Sequence, residues 1–296
     1  MTRTLNTIGR ALRSSFIPRS VSYKVWRSAT RVNDGERFFY KTALLQKPLT
    51  YGGVCGASDD ALFQNLEESE RDVIQVLSRL LHTESAPTIL DVGANNGAFM
   101  VLIKAITPNA KVHCFEPFST LTGFLVELVQ QNSFDDVTIN NVLVGETNEL
   151  KQLYFTKGST ATASVVHDFQ VFDSTLEAKQ CRLDSYVEEK KLDQVLLIKI
   201  DVEGGELEVL RGARRLLETM KPKILLELLY TEKEIHLSRQ REAIRELEQL
   251  GYNFYQIREN GELEHQSPVL PDPNYRFLNY YVSCTEPVNV ARKGTV

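Results

Sequence analysis

The chain has 296 residues, 42% of them hydrophobic and 25% charged, which is typical of a soluble globular protein with one large domain and an extension. No apolar run reaches the ~20 residues of a membrane-spanning helix, and the four cysteines form no CxxC pair, so the reducing cytoplasm is the expected compartment. The formal net charge is −5, and the acidic body argues against a nucleic acid as partner.

Residues 1–33 differ from the rest of the chain in charge. They carry seven Arg or Lys and no acid, so that with a total of −5 the remainder carries −12. Apolar residues recur there at spacings of three and four, at Leu5, Ile8, Leu12 and Phe16. This pattern predicts a basic amphipathic helix. Three interpretations stay open: peripheral contact with an anionic membrane, an organellar transit peptide, or an ordinary basic flank.

The next segment is rich in loop-like clusters, which include Tyr51–Gly53 and Gly56–Asp60. A helix is predicted over Glu67–Leu81, where apolar side chains recur on one face. We therefore divide the chain into an N-terminal extension and loop region, residues 1–65, and one α/β domain, residues 66–296.

From Thr88 onward, short apolar strands alternate with amphipathic helices. Seven strands are predicted, over Thr88–Val92, Lys111–Phe115, Val137–Val144, Val195–Asp201, Ile224–Leu229, Asn253–Ile257 and Asn279–Ser283. Helices between them include one from Ala98 to Ile106, one over Glu206–Met220 and one over Arg239–Leu250. This alternation predicts a doubly wound, mainly parallel, seven-stranded Rossmann-like sheet with helices on both faces. Such sheets bind ligands beyond the carboxyl ends of their strands.

The run Asp91–Gly97 follows the first of these strands and predicts a tight turn into a helix, as at a nucleotide-binding site. A dinucleotide site needs a glycine where Asn95 stands, so that the backbone can touch a pyrophosphate. Asn95 would crowd that group and Asp91 would repel it. A ligand with an adenosine, no phosphate and a cationic centre suits the turn better, and S-adenosylmethionine is such a ligand.

The second strand ends in Phe115-Glu116-Pro117, where an acid can accept hydrogen bonds from both ribose hydroxyls. Pro117 keeps Glu116 extended, so that its carboxylate is aimed outward. Nicotinamide enzymes also place an acid here, so Glu116 indicates a nucleoside without identifying it.

The strand that contains Lys199 combines an apolar face with a charged one. With a period of two, Lys199, Asp201 and Glu203 share one face at the carboxyl end of a central strand. Buried Lys and Glu rarely persist unpaired, so we infer that Lys199 meets Glu227 or Asp201 across neighbouring strands. The alternative is a buried ion pair that orients the loop and does no chemistry.

A long segment before this strand contains the small-residue loop Gly158–Ser164 between two strand-like pieces, Gln152–Thr156 and Gln180–Leu183. This insertion is expected to overhang the carboxyl edge of the sheet. Its hydroxyls and the nearby His167 could bind a polar acceptor such as a sugar, and a flexible surface loop is the alternative.

These motifs together resemble the FkbM family of S-adenosylmethionine-dependent methyltransferases. The resemblance covers about Glu67 to Tyr230 well and the C-terminal strands loosely, and it leaves out residues 1–60. It is carried by DVGANNG (Asp91–Gly97), FEP (Phe115–Pro117), KIDVEGGE (Lys199–Glu206), VLRGA (Val209–Ala213) and KPKILLEL (Lys221–Leu228).

The resemblance implies methyl transfer to a hydroxyl of a sugar, a glycan or a natural product, so that the α/β domain is a methyltransferase domain. It also implies a cofactor site at the positions of the glycine motif and the ribose acid, which are Asp91, Gly93, Asn95, Gly97 and Glu116. The expected partner is thus a small-molecule or glycan acceptor. The sequence predicts no oligomeric state.

A hydroxyl needs a base to become a good nucleophile, and Asp201 and Glu203 are the candidates, with His167 behind them. Lys199 completes the candidate catalytic set. The two acids could instead hold a divalent metal, but the sequence offers no third ligand, so no metal ligand is assigned. A nicotinamide oxidoreductase and a non-catalytic scaffold of the same fold are the alternatives.

Overall fold

A computed structural model describes residues 30–31, 37–45, 47–54, 70–156, 159–166, 172–229, 233–267, 269 and 277–287. His167, Gly158, the cluster Gly56–Asp60 and the predicted N-terminal amphipathic helix lie outside the described residues, and the predictions made for them stay predictions. Within the described ranges, no helix has the length and hydropathy needed to cross a membrane.

Strands and helices cover most of the described residues. The strands are β1 (Thr30–Arg31), β2 (Arg37–Leu44), β3 (Lys47–Val54), β4 (Thr88–Val92), β5 (Lys111–Phe115), β6 (Val137–Asn140), β7 (Leu143–Val144), β8 (Leu150–Thr156), β9 (Ser159–Ser164), β10 (Ser174–Cys181), β11 (Leu197–Ile200), β12 (Lys223–Leu229), β13 (Asn253–Ile257), β14 (Leu263–Gln266) and β15 (Phe277–Ser283). The helices are α1 (Arg71–Leu81), α2 (Ala98–Ile106), α3 (Ser119–Asn132), α4 (Leu183–Lys190), α5 (Glu206–Gly212), α6 (Arg214–Thr219) and α7 (Glu234–Gln249), with a 3₁₀ turn over Glu259–Gly261.

The main sheet has the strand order β14-β13-β15-β12-β11-β4-β5-β6. Strands β4, β5, β6, β11 and β12 run parallel, and β15 runs antiparallel to both of its neighbours. The chain moves outward from β4 to β6 and then returns to β11 beside β4, so the order reverses between β4 and β11. Open α/β sheets bind their ligands at such a reversal, beyond the carboxyl ends of the strands.

The predicted doubly wound, mainly parallel sheet is confirmed, with three differences. The edge strand β14 is an eighth strand that the sequence did not indicate, and the third predicted strand is divided into β6 and β7. The predicted helix Glu206–Met220 is broken at Ala213 into α5 and α6. The carboxylate of Asp184 accepts the backbone N–H groups of Arg215 and Leu216 at 3.1 and 2.9 Å, which caps α6 and starts a new helix there.

Two hydrophobic layers follow from the alternation of side chains along the buried strands. Ile89, Leu197 and Leu225 belong to one layer, which packs against α1, α2 and α3. Ile198 and Ile200 belong to the other, which packs against α4, α5, α6 and α7. Period two therefore puts Lys199, which lies between the two isoleucines, on the face that α1, α2 and α3 cover.

A smaller sheet of order β7-β10-β8-β9 forms the insertion. The segment that was predicted to be a loop because of its small residues contains strand β9. Leu183 was predicted to end a strand, but it begins α4. Phe155 of β8 packs edge-on against Phe118, with ring centroids 5.1 Å apart. A Cβ built on Gly205 would lie 3.4 Å from Val165. The insertion therefore contacts the segments that follow β5 and β11, at the carboxyl edge of the main sheet.

The hairpin β2–β3 packs against α2 and α3 and shares the core of the larger domain. Its register makes Tyr51–Gly53 part of a strand and not the predicted loop. The backbone N–H of Thr50 donates to Asn132 Oδ1 at 2.6 Å, and Asn132 Nδ2 donates back to the Thr50 carbonyl at 2.8 Å. Tyr51 is buried in the core. The domain division at residue 65 stays a prediction.

Candidate active site

The glycine turn after β4 is shaped by three residues in the left-handed region, Gly93, Asn95 and Gly97. Gly93 has φ +80°, and a Cβ there would collide with the backbone carbonyl oxygen of Asp201. Gly97 has φ +79°, and a Cβ there would lie 2.7 Å from the side chain of Leu125. Gly93 is therefore required by the close approach of a backbone carbonyl as well as by its backbone angle, whereas Gly97 is favoured mainly by its backbone angle, because side-chain ends such as that of Leu125 can move aside.

Glu116 connects this turn to the end of β5. Its carboxylate accepts the backbone N–H of Asn95 at 2.9 Å and that of Phe118 at 3.0 Å. Burial raises the pKa of Glu116 to about 7, although both N–H groups oppose that shift. The sequence predicted the strand-end acid but not its hydrogen bond to Asn95, whose φ of +49° turns the N–H toward it.

Three buried polar atoms of the turn have no hydrogen-bond partner among the described residues: Asp91 Oδ1, Asn95 Oδ1 and Asn96 Nδ2. Each such atom costs roughly 1–3 kcal/mol if nothing binds it. Burial raises the pKa of Asp91 to about 6, against the opposing effect of Lys199. Two unpaired acceptors and one unpaired donor beside Glu116 fit a ligand rich in hydroxyl and amino groups, as a nucleoside with an amino-acid tail is.

Lys199 and Asp201 form an ion pair at the end of β11. Lys199 Nζ lies 2.8 Å from Asp201 Oδ2, and in the sheet Lys199 stands beside Asp91 of β4. The predicted partner Asp201 is thus present, but it lies two residues along the same strand and not across a neighbouring strand. Burial lowers the pKa of the Lys199 ammonium group, but the charges of Asp201 and Asp91 raise it by more. The pKa of Lys199 is therefore above its usual value.

Glu203 lies in the turn that follows, with a φ of +50°. Glu206 then begins α5, and its carboxylate accepts the N–H of Gly204 at 2.9 Å. Burial raises the pKa of Glu206 to about 7, although the Gly204 N–H opposes the shift. The acid of Glu206 fixes the turn, which leaves Asp201 and Glu203 as the acids nearest the carboxyl edge.

Two further acids, Glu227 and Glu70, interact electrostatically with Lys199 and Asp201, and the sequence did not predict either of them as a site residue. Glu227 of β12 has a pKa well above its usual range, because of burial and then because of the charge of Asp201. Burial raises the pKa of Glu70, with Lys199 opposing the shift and Asp201 adding to it. Glu70 precedes α1, and burial followed by the charge of Glu70 raises the pKa of Tyr51. No local pattern could have placed Glu70 here, since its position depends on how α1 docks.

A metal site is not indicated by the described part of the chain, where no group of three or more His, Cys, Asp or Glu is arranged to hold an ion.

The predicted site residues that the structure describes line the ends of β4, β5 and β11. They are Asp91, Gly93, Asn95, Gly97, Glu116, Lys199, Asp201 and Glu203. His167 lies outside the described residues.

The strand order, the antiparallel β15 beside β12 and the glycine turn after β4 define a Rossmann-like methyltransferase fold. The methyltransferase FkbM domain family matches residues 91–254, which is more than half of the chain. The chain belongs to the FkbM methyltransferase family.

Two curated relatives are similar over part of the chain. The 2-O-methyltransferase NoeI of Sinorhizobium fredii is 23% identical over 164 residues, which cover 51% of this chain and 65% of NoeI. The methyltransferase sdnD of Sordaria araneosa is 31% identical over 157 residues, which cover 43% of this chain and 61% of sdnD. The chain thus spans less than two thirds of the length of these relatives.

Among solved structures, the methyltransferase FkbM from Methylobacillus flagellatus KT aligns with a TM-score of 0.44 and 18% sequence identity. The alignment covers 76% of this chain and 56% of that chain.

Proposed function

We propose that this protein transfers the methyl group of S-adenosylmethionine to a hydroxyl oxygen of a sugar, a glycan or a related natural product. The observation that carries the proposal is the set of buried, unpaired polar atoms of Asp91, Asn95 and Asn96 beside Glu116, within a domain of the FkbM family. The relative from Sinorhizobium fredii is named a 2-O-methyltransferase, which supports oxygen as the acceptor atom.

Glu116 would accept hydrogen bonds from the ribose hydroxyls, and the free oxygens of Asp91 and Asn95 would accept them from other donors of the cofactor. When bound, S-adenosylmethionine supplies an electrophilic methyl carbon on a positively charged sulfur. The side chains around Glu116 exclude water, because Glu116 and Phe118 are both buried. Burial favours transfer, since the charge that is lost at sulfur is hydrated more strongly before the reaction than during it.

Asp201 is the residue that we assign as base. Its carboxylate lies at the carboxyl end of a central strand, with 30% of the side chain exposed, and could take the proton of an acceptor hydroxyl. Lys199 holds its Oδ2 at 2.8 Å and thereby orients Oδ1 for that proton. Lys199 is thus a positioning residue, and Glu203 is the second candidate base. A role for His167 stays a prediction.

The cofactor is tested by titrating the protein with S-adenosylhomocysteine in a calorimeter. We expect the wild type to bind, and Glu116→Ala to bind about tenfold more weakly or worse, because the variant loses hydrogen bonds to two ribose hydroxyls. Glu84→Ala changes an exposed acid beyond the end of α1 and is the matched control.

The same titration separates the alternatives. Binding of NADH in place of S-adenosylhomocysteine would support the nicotinamide oxidoreductase. Binding of neither nucleotide would contradict the proposal and favour a non-catalytic scaffold. If S-adenosylhomocysteine binds, glycan acceptors can be screened with labelled cofactor.

A further inference from the structure

The site contains more acids than its cations can neutralise. We define the charge cluster as Lys199 together with the five acids around it, which are Glu70, Asp91, Asp201, Glu203 and Glu227. Lys199 supplies one ammonium group, and that group is already bonded to Asp201. Like charges this close raise the free energy of the ionised state, so the crowding favours protonation of some of these acids in the ligand-free protein.

Sheet register brings Glu227 next to Asp201. Ile200 of β11 pairs with Leu226 of β12 in parallel register, so Asp201 and Glu227 follow at adjacent positions on neighbouring strands. Neighbouring strands lie about 4.8 Å apart, and paired residues present their side chains on the same face. On its other side, Glu227 pairs with Asn279 of β15, which carries no charge. Its charged neighbours are therefore Asp201, Lys199, Glu203 and Glu70.

Glu70 reaches the cluster from the start of α1, outside the residues that the family match covers. It is half-buried, and Lys199 and Asp201 act on it electrostatically. Burial and then the charge of Asp201 raise the pKa values of both Glu70 and Glu227, with Lys199 opposing the shift, so both acids hold their protons to a higher pH than a free carboxyl group does.

The cluster lies where the cationic part of the proposed cofactor would be. The ribose acid Glu116 follows β5, the glycine turn follows β4 and Asp201 follows β11, which are three successive strands of the sheet. Two strand spacings are about 10 Å, comparable to the length of a nucleoside with its side chain. A cofactor held by its ribose at Glu116 and extended across β4 would therefore have its sulfonium near Asp201 and Glu227.

We propose that Glu70 and Glu227 recognise the positive charge of the sulfonium, because both face the like charge of Asp201 in the free site and release protons when a cation occupies the cleft. This inference rests on the proposed function. The reaction removes the charge: the methyl group forms a bond to the acceptor oxygen, the bonding pair stays on sulfur, and the hydroxyl proton passes to Asp201. The neutral product leaves the acids uncompensated, so they take up protons again and the product is held less tightly than the cofactor.

Calorimetry at pH 7 in two buffers with different ionisation enthalpies measures this proton exchange. S-adenosylmethionine and S-adenosylhomocysteine share the adenosine and the amino-acid part and differ by one methyl group and its charge. We expect S-adenosylmethionine to release more protons, with an excess on the order of half a proton or more per site. Glu227→Gln should lose most of this excess and Glu70→Gln part of it, whereas Glu227→Asp and the exposed control Glu84→Gln should retain it.

Equal proton release with both ligands in the wild type would overturn the inference while leaving the proposed function intact. An excess that survives in the combined Glu70→Gln, Glu227→Gln protein would overturn it as well. Absence of binding of either ligand would contradict the proposed function and this inference together. S-adenosylhomocysteine binding checks that each variant is folded, and Glu70→Gln, at a half-buried helix start, keeps the test available if Glu227→Gln does not fold.

Discussion

Asp201 is the side chain on which the proposed reaction depends most directly. Lys199 engages one of its oxygens at 2.8 Å, while 30% of its side chain remains exposed. A carboxylate that is both oriented and open can bind an acceptor hydroxyl, whereas the fully buried Asp91 cannot contact an acceptor in the same way.

Replacing this base separates proton transfer from cofactor binding. In Asp201→Asn the amide cannot take the hydroxyl proton, so we expect kcat to fall by roughly 10²–10⁴-fold with little change in the affinity for S-adenosylhomocysteine. The measurement is turnover of labelled cofactor with an acceptor found by screening. Glu203→Gln is the matched comparison, and a larger loss in Glu203→Gln than in Asp201→Asn would reassign the base to Glu203.

The residues of the site were predictable to different degrees. A period of two was enough to put Lys199 and Asp201 on one face, because the alternation of side chains along a strand depends only on local backbone geometry. Glu70 was not predictable, since it is more than a hundred residues from Lys199 in the chain and reaches it only through the docking of α1. The hydrogen bond from Asn95 to Glu116 likewise depends on a backbone angle that no residue pattern specifies.

At the scale of elements, the decisive contact joins the turn after β4 to the end of β11. Gly93 faces the carbonyl of Asp201 with no room for a side chain, so the glycine sets how closely the two strand ends approach. The proposed cofactor site and the proposed base are thereby held close together.

A methyl group at this contact should separate the two strand ends. We expect Gly93→Ala to lower the free energy of unfolding by more than about 3 kcal/mol and to abolish S-adenosylhomocysteine binding, because the backbone carbonyl cannot move aside. Gly251→Ala is the control, since Gly251 has a φ of +83° but no heavy atom of the described residues lies within 4 Å of its Cβ position. It should cost only about 1 kcal/mol for the backbone angle. Urea unfolding measures both, and equal losses would contradict the close-approach explanation.

Elements with strong local patterns were predicted well, and β4, β5 and β13 have the predicted bounds. The incorrect predictions concern segments whose secondary structure depends on contacts with other elements. The serines and alanines of β9 have little strand preference of their own, and the strand pairs with β8. The helix break at Ala213 depends on Asp184, which is remote in sequence.

For the whole molecule, the main electrostatic feature is burial of acids without enough cations. Burial raises the pKa of Asp91 to about 6, and it raises the pKa values of Glu116 and Glu206 to about 7. Between the usual carboxyl pKa and these values, the folded protein binds more protons than the unfolded chain does.

The free energy of unfolding of the ligand-free protein should therefore fall as the pH rises from about 4.5 to about 7, and it should continue to fall above that range as Glu227, whose pKa lies higher still, loses its proton. Glu116 alone, raised from 4.5 to about 7, corresponds to a decrease of about 3 kcal/mol. Urea unfolding at several pH values measures this decrease, and Glu116→Gln should make it smaller. A free energy of unfolding that rises over this range would contradict the protonated state of these acids.

The return of the chain from β6 to β11 also determines when during synthesis the site can form. Asp91 and Lys199 stand side by side in the central strand pair, yet 108 residues separate them along the chain. A ribosome adds about 5–20 residues per second, so roughly 5–20 s pass between the emergence of the two strands. During that time the apolar edge of β4 has no partner on that side, so it is open to wrong pairing until β11 emerges.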